Sequence, residues 1–256
     1  MNQIQTALTN KGKKVFVPYI MAGDGGLESL REKLLFLQDS GADAIEIGIP
    51  FSDPVADGPT IQRAGIRALK EGTTLKKVLN TLNAYKDEVS VPLILMTYLN
   101  PLIAYGYEQF ADDAQKAGVA GCIIPDLPIE EEALIVPYLE KENLTLIRLV
   151  TLTTPIERIR EIAGKSAGFI YAVTVTGTTG TRNEFSSSLA GFLKTVKSLS
   201  SVPVLAGFGV SNKEQIQEVC KYCDGVIVGS KVIDLFEQEK YEEIQNLIHS
   251  AETVNI

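Results

Sequence analysis

The chain has 256 residues, of which 45% are hydrophobic and 22% are charged, a composition typical of a globular protein with an extensive core. A formal charge of -8 and an isoelectric point near 4.9 argue against nucleic acid or an anionic membrane as a partner, because either normally binds a basic face. The N-terminal segment lacks the apolar core of a secretory signal, and no apolar run approaches the ~20 residues of a membrane-spanning helix, so we expect a cytoplasmic protein.

Eight short, apolar, β-rich runs alternate with amphipathic helical stretches. The predicted strands cover about residues 14–20, 43–49, 92–98, 120–125, 144–150, 168–174, 202–207 and 225–229. The longest connection, between the second and third strands, contains two predicted helices, at 59–72 and 74–88. A further helix at each terminus, at 4–10 and 241–252, would cap the structure.

This alternation predicts parallel strands joined by right-handed crossovers. Eight such units in about 250 residues match a closed (β/α)8 TIM barrel. No linker, low-complexity tract or charge block marks a second domain, so we predict a single domain over residues 1–256. An open doubly wound sheet is the structural alternative, and it would bind its ligand at a switch point in the strand order.

The segment EIGIPFSDPVADGPTIQ, at residues 46–62, contains two carboxylates around a loop that follows the second strand. Glu46 alternates with isoleucines, so it lies on the opposite face of the strand, between the small residues Ala44 and Gly48. A glutamate at the centre of a strand is costly to bury unless it has a partner or a task. With Asp57 in the following loop it predicts an acid/base site; pairing with an internal arginine, or an exposed edge, is the alternative for Glu46 alone.

Other polar side chains occur at predicted strand ends, where the active site of a TIM barrel lies. Tyr98 and Asn100 end the third strand, Asp126 ends the fourth, and Tyr171 is on the sixth. Each has a simpler interpretation, since a tyrosine can fill the barrel and Asp126 can cap the next helix. Their joint position is what predicts a site.

Three glycine-bearing turns, at residues 177–182, 207–211 and 228–233, follow the last three strands. Glycine lets the backbone approach a ligand closely, and a helix N-terminus favours an anion. These turns predict a phosphate site, with Gly229 and Ser230 beginning a short helix. The loop from Thr176 to Ser188 is a candidate lid.

The composition of the predicted site narrows the chemistry. A Schiff-base aldolase needs a lysine in the barrel, and the cores of the predicted strands contain none. A metal site needs several clustered ligands. Besides the pair Cys220 and Cys223, the sequence offers only Cys122 and a single histidine, His249, so we expect no metal. Cofactor-free proton transfer on a phosphorylated substrate remains. An apolar set would suit a flat aromatic ring at the other end of that substrate: Tyr19, Ile61, Met96, Tyr98, Ile123 and Phe208.

Five motifs are similar to those of the tryptophan synthase alpha chain family: the segment 46–62, TYLNP at 97–101, PDLP at 125–128, GTTGTR at 177–182 and LAGFGVS at 205–211. The likeness runs from the N-terminal helix through the last strand. It implies cleavage of indole-3-glycerol phosphate to indole and glyceraldehyde 3-phosphate. It also implies a beta-chain partner, dependent on pyridoxal phosphate, in an assembly of two alpha and two beta chains.

The resemblance also implies residue roles. Glu46 would be the general acid/base, with a raised pKa, and Asp57 would stay ionised and hydrogen-bond the indole NH. Tyr171 would lie close to Glu46, and Thr179 would close over Asp57 from the lid. The phosphate would be held by Gly180, Gly209, Gly229 and Ser230, and the beta chain would meet Asp53 and Asn100.

The sequence departs from some relatives in having Tyr19 where phenylalanine is familiar, and in the neighbours of the GTTGTR loop. Two other functions compete with the lyase. One is a cofactor-free sugar-phosphate isomerase, for which the apolar set would be merely core. The other is a phosphosugar-binding regulatory subunit that reports occupancy to a partner.

Overall fold

The computed structural model describes residues 2–9, 12–174, 182–207 and 209–252. Eight parallel strands form a closed barrel in which each strand pairs with its neighbours in sequence and the last pairs with the first. Closure confirms the TIM barrel and excludes the open doubly wound sheet. The strands are β1 (Val15–Met21), β2 (Ile45–Gly48), β3 (Leu93–Met96), β4 (Val119–Ile123), β5 (Thr145–Thr151), β6 (Ile170–Val173), β7 (Val204–Gly207) and β8 (Gly225–Val228).

Helices connect the strands and, apart from α1, pack on the outer face of the barrel. They are α1 (Gln3–Leu8), α2 (Leu30–Asp39), α3 (Pro59–Lys70), α4 (Leu75–Ala84), α5 (Leu99–Tyr105), α6 (Tyr107–Lys116), α7 (Val136–Lys141), α8 (Ile156–Lys165), α9 (Arg182–Leu199), α10 (Lys213–Val219), α11 (Ser230–Glu237) and α12 (Tyr241–Glu252). Short 3-10 helices cover Leu27–Ser29, Lys86–Glu88 and Ile129–Leu134. The two helices predicted between β2 and β3 are α3 and α4.

Local sequence explains where several helices begin. The Asn2 side chain accepts the Gln5 amide at 2.7 Å before α1, and the Asn212 side chain accepts the Gln215 amide at 2.9 Å before α10. In α3, Pro59 occupies the first turn, where its missing N–H removes no helical hydrogen bond.

Side-chain alternation along the strands produces two apolar layers. Outward residues such as Phe16 and Ile45 pack under the helices, whereas inward residues such as Val17 and Ile94 fill the barrel. Ile4 of α1 belongs to the inner layer. Its Cδ1 would lie 2.9 Å from a methyl group placed on Gly121 of β4. Helix α1 therefore packs against the N-terminal end of the barrel interior.

The end of β3 differs from the sequence prediction. The strand stops at Met96, so Tyr98 and Asn100 do not end it; Tyr98 precedes α5 and Asn100 lies in the first turn of that helix. The Asp126 carboxylate accepts the Leu99 amide at 2.9 Å, so it caps α5, which precedes it, and not the element that follows. Asp126 itself lies beyond β4, which ends at Ile123.

Candidate active site

A cavity of about 860 Å³ opens at the C-terminal ends of the strands. It brings together many of the side chains singled out in the sequence, and their common position follows from the inward alternation of the strands. The predicted site residues that line it are Tyr19, Glu46, Asp57, Ile61, Met96, Tyr171, Gly209, Gly229 and Ser230.

Glu46 is the most buried carboxylate of this cavity, with an exposed fraction of 1%. It lies in β2 between Tyr19 of β1 and Ile94 of β3, and it points into the barrel as its alternation predicted. Within the described ranges neither carboxylate oxygen has a hydrogen-bond partner, which excludes pairing with an internal arginine there. Burial, and secondarily the charge of Asp57, raises the pKa of Glu46 to about 8. At neutral pH this carboxyl is therefore mostly protonated and can donate a proton.

Asp57 is held in the loop between β2 and α3 by its backbone. Its amide donates to Pro54 at 3.1 Å, and its carbonyl accepts from the Gln62 side chain at 2.9 Å. Burial raises the pKa of Asp57 to about 6, while a hydrogen bond from the Tyr98 hydroxyl opposes that rise. The same hydroxyl accepts the Ala56 amide at 2.9 Å. Asp57 therefore remains mostly ionised at pH 7 while Glu46 does not.

Two buried tyrosines flank Glu46, and each ring lies against a glycine of the adjacent strand. A methyl group on Gly48 would overlap the Tyr19 hydroxyl, and one on Gly207 would overlap the Tyr171 ring. Burial, followed by the charge of Glu46, raises the pKa of Tyr171. Tyr171 is therefore neutral and close to Glu46, as the resemblance implied.

The predicted ring-binding set is divided by the structure. Tyr19, Ile61 and Met96 line the cavity, whereas Ile123 is buried in the inner layer and Tyr98 reaches Asp57. Leu149, Val173 and Ile227 also line the cavity, although none of them was predicted from the sequence. Their signal was present, because each occupies an inward position of β5, β6 or β8. Phe208 lies outside the described residues.

The predicted phosphate site lies where β8 meets α11. Gly229 precedes α11 and Ser230 is its first residue, and both line the cavity with Gly209. Gly209 has a φ of 88°, a conformation that favours glycine. The N-terminus of α11 offers unpaired amides and a favourable dipole to an anion. Residues 176–181 of the candidate lid, including Thr179 and Gly180, lie outside the described residues.

The two residues that the resemblance assigns to a partner are exposed. Asp53 lies on the loop after β2, which also carries the cavity residues Val55 and Asp57, and Asn100 lies in the first turn of α5. The apolar side chain of Val55, close to Asp53 in the chain, is 83% exposed, and Ile103 of α5 is also exposed. Exposed apolar side chains around a cavity are typical of a protein interface.

Within the described ranges, no three His, Cys, Asp or Glu side chains lie close enough to share a metal ion. Cys220 and Cys223 are buried, and the Cys223 thiol donates to the carbonyls of Val219 and Gly225. No helix in the described part of the chain has the length and apolarity needed to cross a membrane.

Comparison with known proteins decides the family. The family model described as Tryptophan synthase alpha chain matches residues 5–255. The chain belongs to the tryptophan synthase alpha chain family. It is therefore a carbon–carbon lyase of tryptophan biosynthesis, of the kind that cleaves indole-3-glycerol phosphate.

Individual relatives agree with this family over almost the whole chain. The tryptophan synthase alpha chain of Bacillus mycoides strain KBAB4 is 56% identical over 245 residues, which cover 96% of this chain and 95% of the relative. That of Bacillus anthracis is 54% identical over 251 residues, covering 98% of this chain and 97% of the relative. The crystal structure of the alpha subunit from Legionella pneumophila strain Paris has a TM-score of 0.88 at 35% identity, covering 98% of this chain and 97% of that one.

Proposed function

We propose that this chain cleaves indole-3-glycerol phosphate without a cofactor of its own. Glu46 transfers the protons, and Asp57 acts as an anion that stabilises the positive charge on the ring. The observation that carries the proposal is the Glu46 carboxyl, which is buried in the cavity with both oxygens unpartnered in the described structure. A group so placed is costly unless a ligand uses it.

The reaction needs a proton delivered to one atom and another removed elsewhere. Glu46, protonated at neutral pH, donates its proton to the ring carbon that bears the glycerol chain. The ring then carries a positive charge, which the Asp57 carboxylate stabilises by accepting the ring N–H.

The Glu46 carboxylate formed in the first step then removes the proton of the hydroxyl on the adjacent chain carbon. The carbon–carbon bond breaks, its electrons return to the ring, and the chain carbon becomes the aldehyde of glyceraldehyde 3-phosphate. One proton enters and one leaves, so the step is balanced and Glu46 is regenerated as an acid. Tyr171, beside Glu46, positions this end of the substrate.

Other residues of the cavity bind the two ends of the substrate, the phosphate and the indole ring. The phosphate is held by the amides of Gly209, Gly229 and Ser230, which line the cavity. The indole ring contacts the apolar cavity wall, to which Tyr19, Ile61 and Met96 of the predicted set belong. The cavity volume and its apolar side chains support an aromatic ligand and speak against a sugar phosphate alone.

Family membership implies a beta-chain partner. We infer that the partner binds over the cavity mouth at Asp53 and Asn100, in an assembly of two alpha and two beta chains in the cytoplasm. Pyridoxal phosphate would be held by the beta chain, which would join indole to serine. Enclosure of the mouth by a partner would pass indole on without its release to water.

The test is the conversion of indole-3-glycerol phosphate by the purified chain, with both products quantified, with and without a beta chain. Indole and glyceraldehyde 3-phosphate formed in equal amounts, and faster with the partner, would support the proposal. A folded chain that binds the substrate but forms neither product under either condition would favour the regulatory function.

A further inference from the structure

Tyr19 lines the cavity, and burial and nearby charges, but no hydrogen bond within the described residues, act on its hydroxyl. The side chain as a whole is 3% exposed. The hydroxyl is not one of the fully buried unpartnered oxygens of the described residues, so it is accessible from the cavity and can bond a polar group of a ligand there. The apolar contacts of the ring would be the same for phenylalanine, so they do not explain why a hydroxyl is present at this position.

The Tyr19 ring spans the distance between two glycines. At its root, a methyl group on Gly229 would lie 3.4 Å from Tyr19 Cβ and Cδ1, an ordinary contact. At its tip, a methyl group on Gly48 would overlap the hydroxyl. The ring therefore runs from the N-terminus of α11, where the phosphate is proposed to bind, to β2.

The hydroxyl reaches β2 at Gly48, one inward position beyond the reacting carboxyl of Glu46. Tyr19 is the register partner of Glu46, and Gly48 is the next inward position of β2 towards the cavity mouth. Burial, followed by the charges of Asp57 and Glu46, raises the pKa of Tyr19 well above its ordinary value. The hydroxyl therefore stays protonated and acts as a donor in the working pH range.

The glycerol chain of the substrate must cover the same path, because it joins the phosphate to the ring carbon that Glu46 protonates. Its hydroxyls are the polar groups that pass alongside Tyr19. We propose that the Tyr19 hydroxyl donates a hydrogen bond to a hydroxyl of the glycerol chain, and that Gly48 leaves the space for it. Tyr19 is then a specificity-determining residue for a hydroxylated chain; this inference rests on the proposed function.

A pair of ligands that differ only in the chain hydroxyls can distinguish a hydrogen bond from the Tyr19 hydroxyl from simple packing of the Tyr19 ring. Indole-3-glycerol phosphate carries the chain hydroxyls, and 3-(indol-3-yl)propyl phosphate has the same ring, chain length and phosphate without them. Binding of both is measured by calorimetry in the Glu46→Gln variant, which prevents turnover, with and without Tyr19→Phe. We expect Tyr19→Phe to weaken the glycerol ligand about tenfold, equivalent to ~1.4 kcal/mol, and to change the propyl ligand by less than about twofold.

Tyr85→Phe is the matched control, because Tyr85 is a buried tyrosine of the outer apolar layer whose hydroxyl is also unpartnered in the described structure. It should change neither affinity. Equal weakening of both ligands by Tyr19→Phe, or no change in either, would overturn the inference while wild-type indole release still upheld the lyase. Absence of indole release from wild type would overturn the proposed function and this inference with it.

Discussion

The negative charge of Asp57 raises the pKa of Glu46 beyond the effect of burial, although the two residues belong to different elements, the Asp57 loop and β2. The pKa of Glu46 is about 8 and that of Asp57 about 6. Between these values the first is protonated and the second ionised. That is the charge state from which a proton can be donated to the ring while its positive charge is stabilised.

The pH dependence of catalysis should therefore be bell-shaped. In the free enzyme, kcat/KM should fall below a pKa of about 6, as Asp57 is protonated, and above about 8, as Glu46 loses its proton. Initial rates of indole release from pH 5 to 10 measure both limbs. A profile that is flat from about pH 5 to 9 would contradict the assignment of both groups.

Burial of Glu46 should make the protein less stable as the pH rises, whereas a salt-bridged carboxylate makes a protein more stable as the pH rises. A raised pKa means that the folded chain binds the Glu46 proton more tightly than the unfolded chain, so the free energy of unfolding falls as pH rises from about 4.3 through about 8. Glu46→Gln should remove that part of the fall, on the order of a few kcal/mol. Urea unfolding at several pH values measures it, and identical pH slopes in wild type and variant would contradict the burial of a titrating Glu46.

Tyr98→Phe should shift only one limb of the activity profile. The Tyr98 hydroxyl donates to Asp57 and lowers its pKa, so its removal should move the acid limb to higher pH. The alkaline limb, which reports Glu46, should move much less. A kcat/KM profile of the variant tests this, with Tyr85→Phe as a control for loss of a buried tyrosine hydroxyl. An unmoved acid limb would show that Tyr98 does not tune Asp57.

Ile4→Ala should destabilise the fold by about 2–5 kcal/mol, because Ile4 is fully buried where α1 closes the barrel. Ile66→Ala is the matched control, since Ile66 of α3 is 54% exposed, and it should change stability by less than about 0.5 kcal/mol. Denaturant unfolding of both variants provides the measurement. Equal stabilities would show that α1 does not contribute to the core.

Asp53→Ala should reduce activation by a beta chain more than it reduces substrate binding, because Asp53 is exposed and does not line the cavity that holds Glu46 and Asp57. Asp39→Ala provides the control, since Asp39 is an exposed acid at the end of α2, before β2 and so at the opposite end of the barrel. Indole release is measured with increasing beta chain. Equal activation of wild type and both variants would remove Asp53 from the interface.

Much of the barrel could be predicted from the sequence, because alternation and helix periodicity are local signals. The inward position of Glu46 followed from its isoleucine neighbours alone. Helix α5 was missed because the Asn100-Pro101 pair is typical of a loop; proline is tolerated there since it lies in the first turn.

The remaining features depend on contacts between distant segments. Asp126 caps α5 across 27 positions of sequence, and the Tyr98 hydroxyl meets the Ala56 amide across 42. No local pattern encodes which strand ends approach each other at that level of detail. The raised pKa of Asp57 and the placement of the Tyr19 hydroxyl over Gly48 likewise needed the packed barrel.

The most direct measurement of the central claim is indole release from indole-3-glycerol phosphate by Glu46→Gln beside wild type, with substrate binding followed by calorimetry. Glutamine keeps the size of the side chain but cannot transfer the proton. We predict a loss of turnover of at least about 10³-fold with substrate affinity nearly unchanged. Turnover within about tenfold of wild type would contradict the assignment of Glu46 as the proton carrier.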